Sequence, residues 1–202
     1  MRVALIGATG NAGSRILNEL VQRGHQVTAI VRNPERVPAL SGVVAKQGDV
    51  FNQNQIAKLV AGHDAVISAV HFTASDPHEL IGAVRQSGVS RYLVVGGAGS
   101  LEVAPGVRLI DTPRIPPAVK AEASAGVTFL DLLREERQLE WTFLSPSVMF
   151  IPGTRTGKFR LGKDKLLSNE QGSSISFEDY AVALVDELET PQHSRQRFTV
   201  GY

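Results

Sequence analysis

Apolar positions along the chain fall into two alternating patterns. Val3 to Ile6 is a short continuous run, as expected of a strand covered on both faces. Ile16, Leu17, Leu20 and Val21 then recur at helical spacing until Gly24, a residue suited to ending a helix. Val27–Val31, Val43–Ala45, Ala65–Val70, Tyr92–Val95, Trp141–Leu144 and Arg197–Val200 read as further strands. Between them the pattern predicts one helix with Ile56, Leu59 and Val60 behind a capping Asn52, one from Pro77 closed by Gly88, and a long one over about Ala118–Arg137. Ser176, with Asp179 three residues on, marks another helix start, whose buried face is Phe177, Ala181, Leu184, Val185 and Leu188.

Strands that alternate with helices over short connections predict βαβ units, with right-handed crossovers and a parallel sheet. Two stretches break the rhythm. Gly99–Pro117 contains Pro105, Gly106, Pro113, Pro116 and Pro117, and Phe150–Gly172 is irregular and rich in glycine and lysine. Long loops in compact domains are usually functional or mobile. Both leave from the carboxyl side of the strands, where open α/β sheets bind ligands, so they are expected to line a substrate cleft, with Phe150 and Phe159 as candidates for ring contacts. No repeat or linker divides residues 1–202.

The chemistry enters at Gly7-Ala8-Thr9-Gly10-Asn11-Ala12-Gly13, directly between the first strand and the first helix. The first glycine lets the chain turn sharply, the second lets backbone approach a pyrophosphate, and the third lets helix and strand pack closely. The helix N-terminus offers free N–H groups and partial positive charge. A tight turn without a ligand is the plainer alternative, but the strand and helix on either side favour a nucleotide. Gly7, Thr9, Gly10, Asn11, Ala12 and Gly13 are therefore candidate cofactor residues of an α/β, single-domain Rossmann fold with a doubly wound parallel sheet flanked by helices.

Selection between NAD and NADP falls at the end of the second strand. NAD binders place an acid there, about 20 residues past the glycines. Here stand Arg32 and Asn33, with Arg36 nearby, and no acid occurs before Glu35. The planar guanidinium fork suits a 2′-phosphate, so NADPH is expected in preference to NADH; a solvated turn arginine is the alternative. Gly48, Asp49 and Val50 follow the third strand, where Asp49 can accept an adenine amino group or merely form a turn. Ser68, Ala69 and Val70 end the fourth strand, as small residues past which ribose can run or as simple packing.

Composition narrows the remaining classes. The chain carries 21 basic and 20 acidic residues, net charge +1, and 43% hydrophobic residues. That balance gives no reason to propose nucleic acid or membrane as a partner. No cysteine is present, which excludes disulfides and thiolate chemistry, and no metal site is expected. The N-terminal apolar run is too short for a signal peptide, so the expected location is cytoplasmic. Monomer and homodimer are both open.

Gly7–Gly13, Val31-Arg32-Asn33-Pro34, Lys46-Gln47-Gly48-Asp49-Val50 and Val94-Val95-Gly96-Gly97-Ala98-Gly99-Ser100 resemble the atypical short-chain dehydrogenase/reductase superfamily. More closely, with Asp111-Thr112-Pro113, Lys120-Ala121-Glu122-Ala123, Trp141–Pro146 and Arg197–Tyr202, the whole chain is similar to bacterial NADH-flavin reductase proteins related in form to biliverdin reductase B. The resemblance implies a seven-stranded parallel sheet, a nicotinamide nucleotide and reductase activity on a flavin-like small-molecule acceptor. It also implies Gly96, Gly97, Pro146, Ser147 and Val148 near the nicotinamide, with Lys120 on its ribose.

The usual Tyr-x-x-x-Lys pair of the superfamily is missing. None of Tyr92, Tyr180 and Tyr202 has a lysine four residues on, and Pro116 stands four before Lys120. Lys120 and Ser100 are what remains as candidate catalytic residues. A conjugated acceptor can spread the incoming charge and take its proton from solvent, which leaves ring positioning as the main task. Two other classes stay open: a non-catalytic redox-sensing regulator that binds NAD(P), and an epimerase or dehydratase of nucleotide sugars.

Overall fold

The computed structural model describes residues 1–202 as one α/β domain built on an eight-stranded sheet. In chain order the elements are β1 (Arg2–Ile6), α1 (Asn11–Gln22), β2 (Gln26–Val31), β3 (Val43–Gln47), α2 (Gln53–Val60), β4 (Ala65–Ser68), α3 (Pro77–Ser87), β5 (Arg91–Val95), β6 (Glu102–Ala104), β7 (Val107–Arg108), α4 (Pro117–Glu135), β8 (Glu140–Pro146), β9 (Met149–Ile151), β10 (Arg160–Gly162), β11 (Ser174–Ser176), α5 (Phe177–Glu189) and β12 (Gln196–Gly201). The sheet runs β10-β12-β8-β5-β4-β1-β2-β3. All pairings are parallel except β10 with β12.

Each face of the sheet carries its own core. Val3, Leu5, Ala29, Ile67, Leu93 and Phe198 point to the side covered by α1 and α5, where Ile16, Leu17, Leu20, Leu184 and Leu188 meet them. Ala4, Ile6, Val66, Tyr92, Val94 and Phe143 point to the other side, against Ile56, Val60, Leu80, Val84, Phe129 and Leu133 of α2, α3 and α4. Strand residues two apart share a face. A strand buried on both faces therefore reads as a continuous apolar run. The order turns back between β1 and β4, and this switch point opens a crevice at the carboxyl ends of the strands.

The structure departs from the sequence expectations in the two loops. Gly99–Pro117 contains the β6–β7 hairpin and a 3-10 turn over Leu109–Asp111. Phe150–Gly172 is not wholly irregular: β9 pairs with β11, and β10 adds an antiparallel edge strand to the seven parallel ones. Strands of three residues carry too few positions for periodicity to register. The fourth strand ends at Ser68, not Val70.

Three carboxylates fasten the segment after β9. Glu19 of α1 pairs with Arg155 at 2.7 Å, and Glu178 Oε2 accepts the Gly153 N–H at 2.8 Å. Asp179, fully buried, accepts the Thr156 and Gly157 N–H groups and the Thr156 hydroxyl at 2.7, 2.8 and 2.6 Å. Ser176 caps α5 by accepting the Asp179 N–H at 3.0 Å.

Candidate functional site

Gly7 leaves β1 with φ +87°, a conformation that disfavours a side chain. A β carbon on Gly7 would stand 2.8 Å from the Ala69 carbonyl carbon, and one on Gly13 would stand 2.9 Å from the Gly7 carbonyl carbon. These two glycines are demanded by packing of the turn against itself and against the end of β4. Gly10 is different. Its β carbon would meet nothing closer than 3.5 Å, so the fold does not require glycine there and the free space faces outward. Gly10 is the N-cap of α1, no side chain caps the helix, and no acid sits in its first turn. The helix therefore presents its first N–H groups and partial positive charge uncovered. The residues fit a pyrophosphate.

Around the turn, hydrogen bonds bring in the neighbouring strand ends. The Gly7 N–H donates to Ile30 at 2.9 Å, and the Gly48 N–H donates to Val31 at 3.0 Å. Arg32 follows β2 immediately; it and Arg36 are exposed and form no ion pair, and Asn33 precedes the short 3-10 turn that carries Arg36, with no capping bond from its side chain. Gly48 is buried where a β carbon would meet Leu59 and Ile56 at 3.1 Å, so packing alone accounts for it. Asp49 Oδ1 accepts the Phe51 N–H at 3.0 Å, which leaves Oδ2 open, and Val50 packs partly into the core. Ser68 is not open to a ligand: its buried hydroxyl bonds Tyr92 at 2.9 Å. Ala69 and Val70 are half-buried beside Gly7.

At the other half of the crevice, the ends of β5 and β8 meet. Gly96 donates to Leu144 at 2.9 Å, and its β carbon would meet the Leu144 carbonyl oxygen at 2.7 Å. Gly97 has an open side, with Phe72 at 3.7 Å the nearest atom. Pro146 and Ser147 are buried, Ser147 donating to Val200 at 3.1 Å, whereas Val148 is 47% exposed. Val148 and Met149 form one wall of a cavity of about 630 Å³, faced by Leu109 and Arg114 from one loop and by Lys165 and Leu166 from the other. The two long loops do enclose a cleft.

Several candidates fall elsewhere. Ser100 is buried, and its hydroxyl accepts Arg197 Nη1 at 3.1 Å; Arg197 in turn pairs with Asp164 at 2.7 Å. The serine thus joins β12 to the loop wall. Lys120 is exposed and lines a separate cavity with Arg108, Asp111, Thr112, Ser124 and Thr128, and does not line the one beside Val148. Phe150 is packed edge-on to Phe177 with ring centroids 4.5 Å apart, and Phe159 packs on the α1/α5 core. Neither phenylalanine lines the cleft.

All three phenols are engaged. Tyr180 donates to Leu144 at 2.6 Å, Tyr202 donates to Asp179 at 2.7 Å with the Ser176 hydroxyl 2.9 Å away, and Tyr92 is bonded to Ser68. Burial pushes Tyr92 and Tyr180 well above the ordinary tyrosine range. Residues that periodicity did not single out complete the site's frame. Glu122 of α4 accepts the N–H groups of Phe72 and Thr73 at 2.8 and 2.9 Å and so ties the segment after β4 to that helix. A polar residue on the inward side of a helix is the sequence signal that could have found it.

A family model described as NAD(P)H-binding matches residues 7–191. The chain belongs to the NAD(P)H-binding family. It is 42% identical to the uncharacterized protein YwnB of Bacillus subtilis over 99% of its own length and 98% of the relative's. A Bacteroides thetaiotaomicron structure that carries the provisional name epimerase superposes with TM-score 0.95 at 42% identity, covering 100% of this chain and 96% of that one. A Streptococcus pneumoniae structure provisionally named an NADH-flavin reductase superposes with TM-score 0.84 at 41% identity, covering 100% and 99%. A Burkholderia pseudomallei structure provisionally named an exported protein superposes with TM-score 0.90 at 45% identity and full coverage of both chains.

Proposed function

We propose that this protein is an NADPH-dependent reductase that delivers hydride to a flavin-like or other conjugated acceptor held in the cleft beside Val148. The observation that carries the reading is the pairing of an uncapped phosphate-binding turn with a cavity of about 630 Å³ at the carboxyl ends of the strands into which no tyrosine hydroxyl is free to donate. The bound nicotinamide nucleotide supplies the hydride. Gly10 and the first turn of α1 bind its pyrophosphate. Arg32, assisted by Asn33 and Arg36, pairs with the 2′-phosphate, and Gly97, Pro146 and Val148 give the rings room to approach.

Reduction of a carbonyl needs a proton donor at the nascent alkoxide, whereas a conjugated ring disperses the charge and takes its proton from water. Three engaged phenols weigh against ketone reduction and against nucleotide-sugar epimerisation, although one structural relative bears the epimerase name. Ser100, bonded to Arg197, and Lys120, in its own cavity, are left outside the proposed machinery. The coenzyme reading implies the cytoplasm, against the exported name of one neighbour; cell fractionation decides between them.

The test follows NADPH and NADH oxidation at the nicotinamide absorbance, with riboflavin, FMN and a quinone as acceptors. Turnover favouring NADPH supports the reading. Tight NADPH binding without turnover on any conjugated acceptor would replace it with that of a nucleotide-dependent regulator.

A further inference from the structure

The cleft is lined by both apolar and basic side chains. Two of the apolar ones are open to water: Val148 is 47% exposed and Met149 52%. Water-facing side chains of this kind at a concave site mark a surface waiting for an apolar partner. The same cavity is lined by Arg114 and Lys165, both exposed and neither in an ion pair or side-chain hydrogen bond. Arg108 is paired with Asp111, Arg155 with Glu19, and Arg160 donates to the Ser168 carbonyl; Lys158 and Lys163 are exposed and unpaired like Arg114 and Lys165, but do not line the cavity. Glu102 is the one carboxylate lining the cavity, and it holds neither cation in a salt bridge. Asp164, next to Lys165, is already committed to Arg197 at 2.7 Å. The Ser168 hydroxyl lines the same cavity with no bond of its own.

We infer that Arg114 and Lys165 form an anion subsite, and that the acceptor is a flat conjugated ring bearing a phosphate monoester. The inference rests on the reading of this cleft as the acceptor site. Val148 and Met149 supply the face on which the ring lies. A phosphate monoester carries about −1.5 to −2 charge at neutral pH and three acceptor oxygens. The guanidinium fork takes two oxygens side by side, and the ammonium adds a point charge. The subsite selects the acceptor and takes no part in hydride transfer, so its loss raises the acceptor KM and leaves kcat in place.

FMN and riboflavin share one ring system and differ by the phosphate, which makes them the probes. Binding of each to the protein with NADP⁺ present is read by flavin fluorescence, without turnover. The expected result is FMN bound about 10-fold more tightly than riboflavin, a gap of about 1.4 kcal/mol, and a gap that closes as salt screens the pair. Arg114→Gln with Lys165→Gln should bring FMN to the riboflavin value while riboflavin affinity stays as it was, which also reports that the double variant is folded. Equal affinity for the two flavins, no binding of either, or a gap that survives the double substitution overturns the inference. Turnover of NADPH on a neutral quinone would at the same time leave the reductase reading standing, so the two fail separately.

Discussion

Arg197 donates to the Ser100 hydroxyl at 3.1 Å, a bond that joins β12 to the chain leaving β5 beneath the loop wall. The same guanidinium holds Asp164 at 2.7 Å, and its side chain is only 3% exposed. On the proposed reading, a serine so placed orders the cleft and leaves proton transfer to solvent. Ser100→Ala should lower stability by about 1 kcal/mol, the usual net worth of a buried hydrogen bond, while the turnover rate stays within a factor of about two of wild type. Thermal melts and steady-state rates check both halves. A rate lower by about two orders of magnitude or more, with an unchanged melt, would return Ser100 to the chemistry.

Gly10 and Gly13 separate binding from folding. A β carbon on Gly13 would strike the Gly7 backbone, whereas one on Gly10 finds no atom within 3.4 Å. Gly13→Ala should therefore destabilise the fold by several kcal/mol, as overpacking against backbone does. Gly10→Ala should leave the melting temperature in place and weaken NADPH by about 10-fold or more, because the added methyl occupies the space where phosphate approaches. Calorimetric titration of NADPH into the Gly10 variant reads this directly. Unchanged affinity would mean that the turn holds no pyrophosphate.

Arg32 should set coenzyme choice. Charge reversal by Arg32→Glu removes a charge-assisted contact worth about 1.5–3 kcal/mol and so should raise the NADPH Kd by about 10- to 100-fold. NADH, which lacks the 2′-phosphate, should bind no worse and gain from an acid on its ribose hydroxyl. Competition titrations of both nucleotides on one preparation give the ratio.

Tyr180 offers a check on the absence of phenol chemistry. Its hydroxyl donates to Leu144 at 2.6 Å and receives the Gly96 N–H at 3.3 Å, deep in the core. Tyr180→Phe should cost about 1 kcal/mol, because the buried Leu144 carbonyl loses one of its two donors and keeps the Gly96 N–H, while the reduction rate keeps its pH profile.

Acid should loosen the loop after β9 before the sheet. The Glu19 carboxyl is held below its ordinary 4.5, first by the Arg155 hydrogen bond. Burial alone pushes Asp179 and Glu178 up, but Thr156, Gly157 and Tyr202 on the one, and Arg15 and Gly153 on the other, bring both below their ordinary values of 3.8 and 4.5. A carboxyl with a lower value in the folded state adds stability above its unfolded value and forfeits it as pH falls through the folded one. Residues 153–158 should become protease-sensitive below about pH 4.5, ahead of global unfolding. Asp179→Asn should show the sensitivity already at neutral pH.

The sheet and its helices were legible because burial on both faces writes itself into composition. Val3–Ile6 and Tyr92–Val95 read as strands since every position meets apolar neighbours. The turn was legible because Gly7, Gly10 and Gly13 combine in seven residues, close enough for local sterics to decide. The pairing of β9 with β11 and of β10 with β12 was not legible, since three-residue strands take their stability from partners more than ten residues away along the chain. Phe150 and Phe159 looked like ring contacts because they stand in a loop, yet the apolar area each buries against the α1/α5 side outweighs exposure in a cleft.

What the sequence by itself determined is the alternation of strand and helix, the glycine turn at the head of α1, and the arginine at the end of β2, all set by steric and hydrophobic rules that act over a few residues. Only the tertiary structure decided which polar groups are free. Ser68, Ser100 and Tyr180 are consumed by internal partners, while Arg32, Arg114 and Lys165 remain unpaired. The physical reason is that a hydrogen bond or ion pair is satisfied by whatever stands within about 3 Å in space, and that neighbour is set by the packing of distant segments.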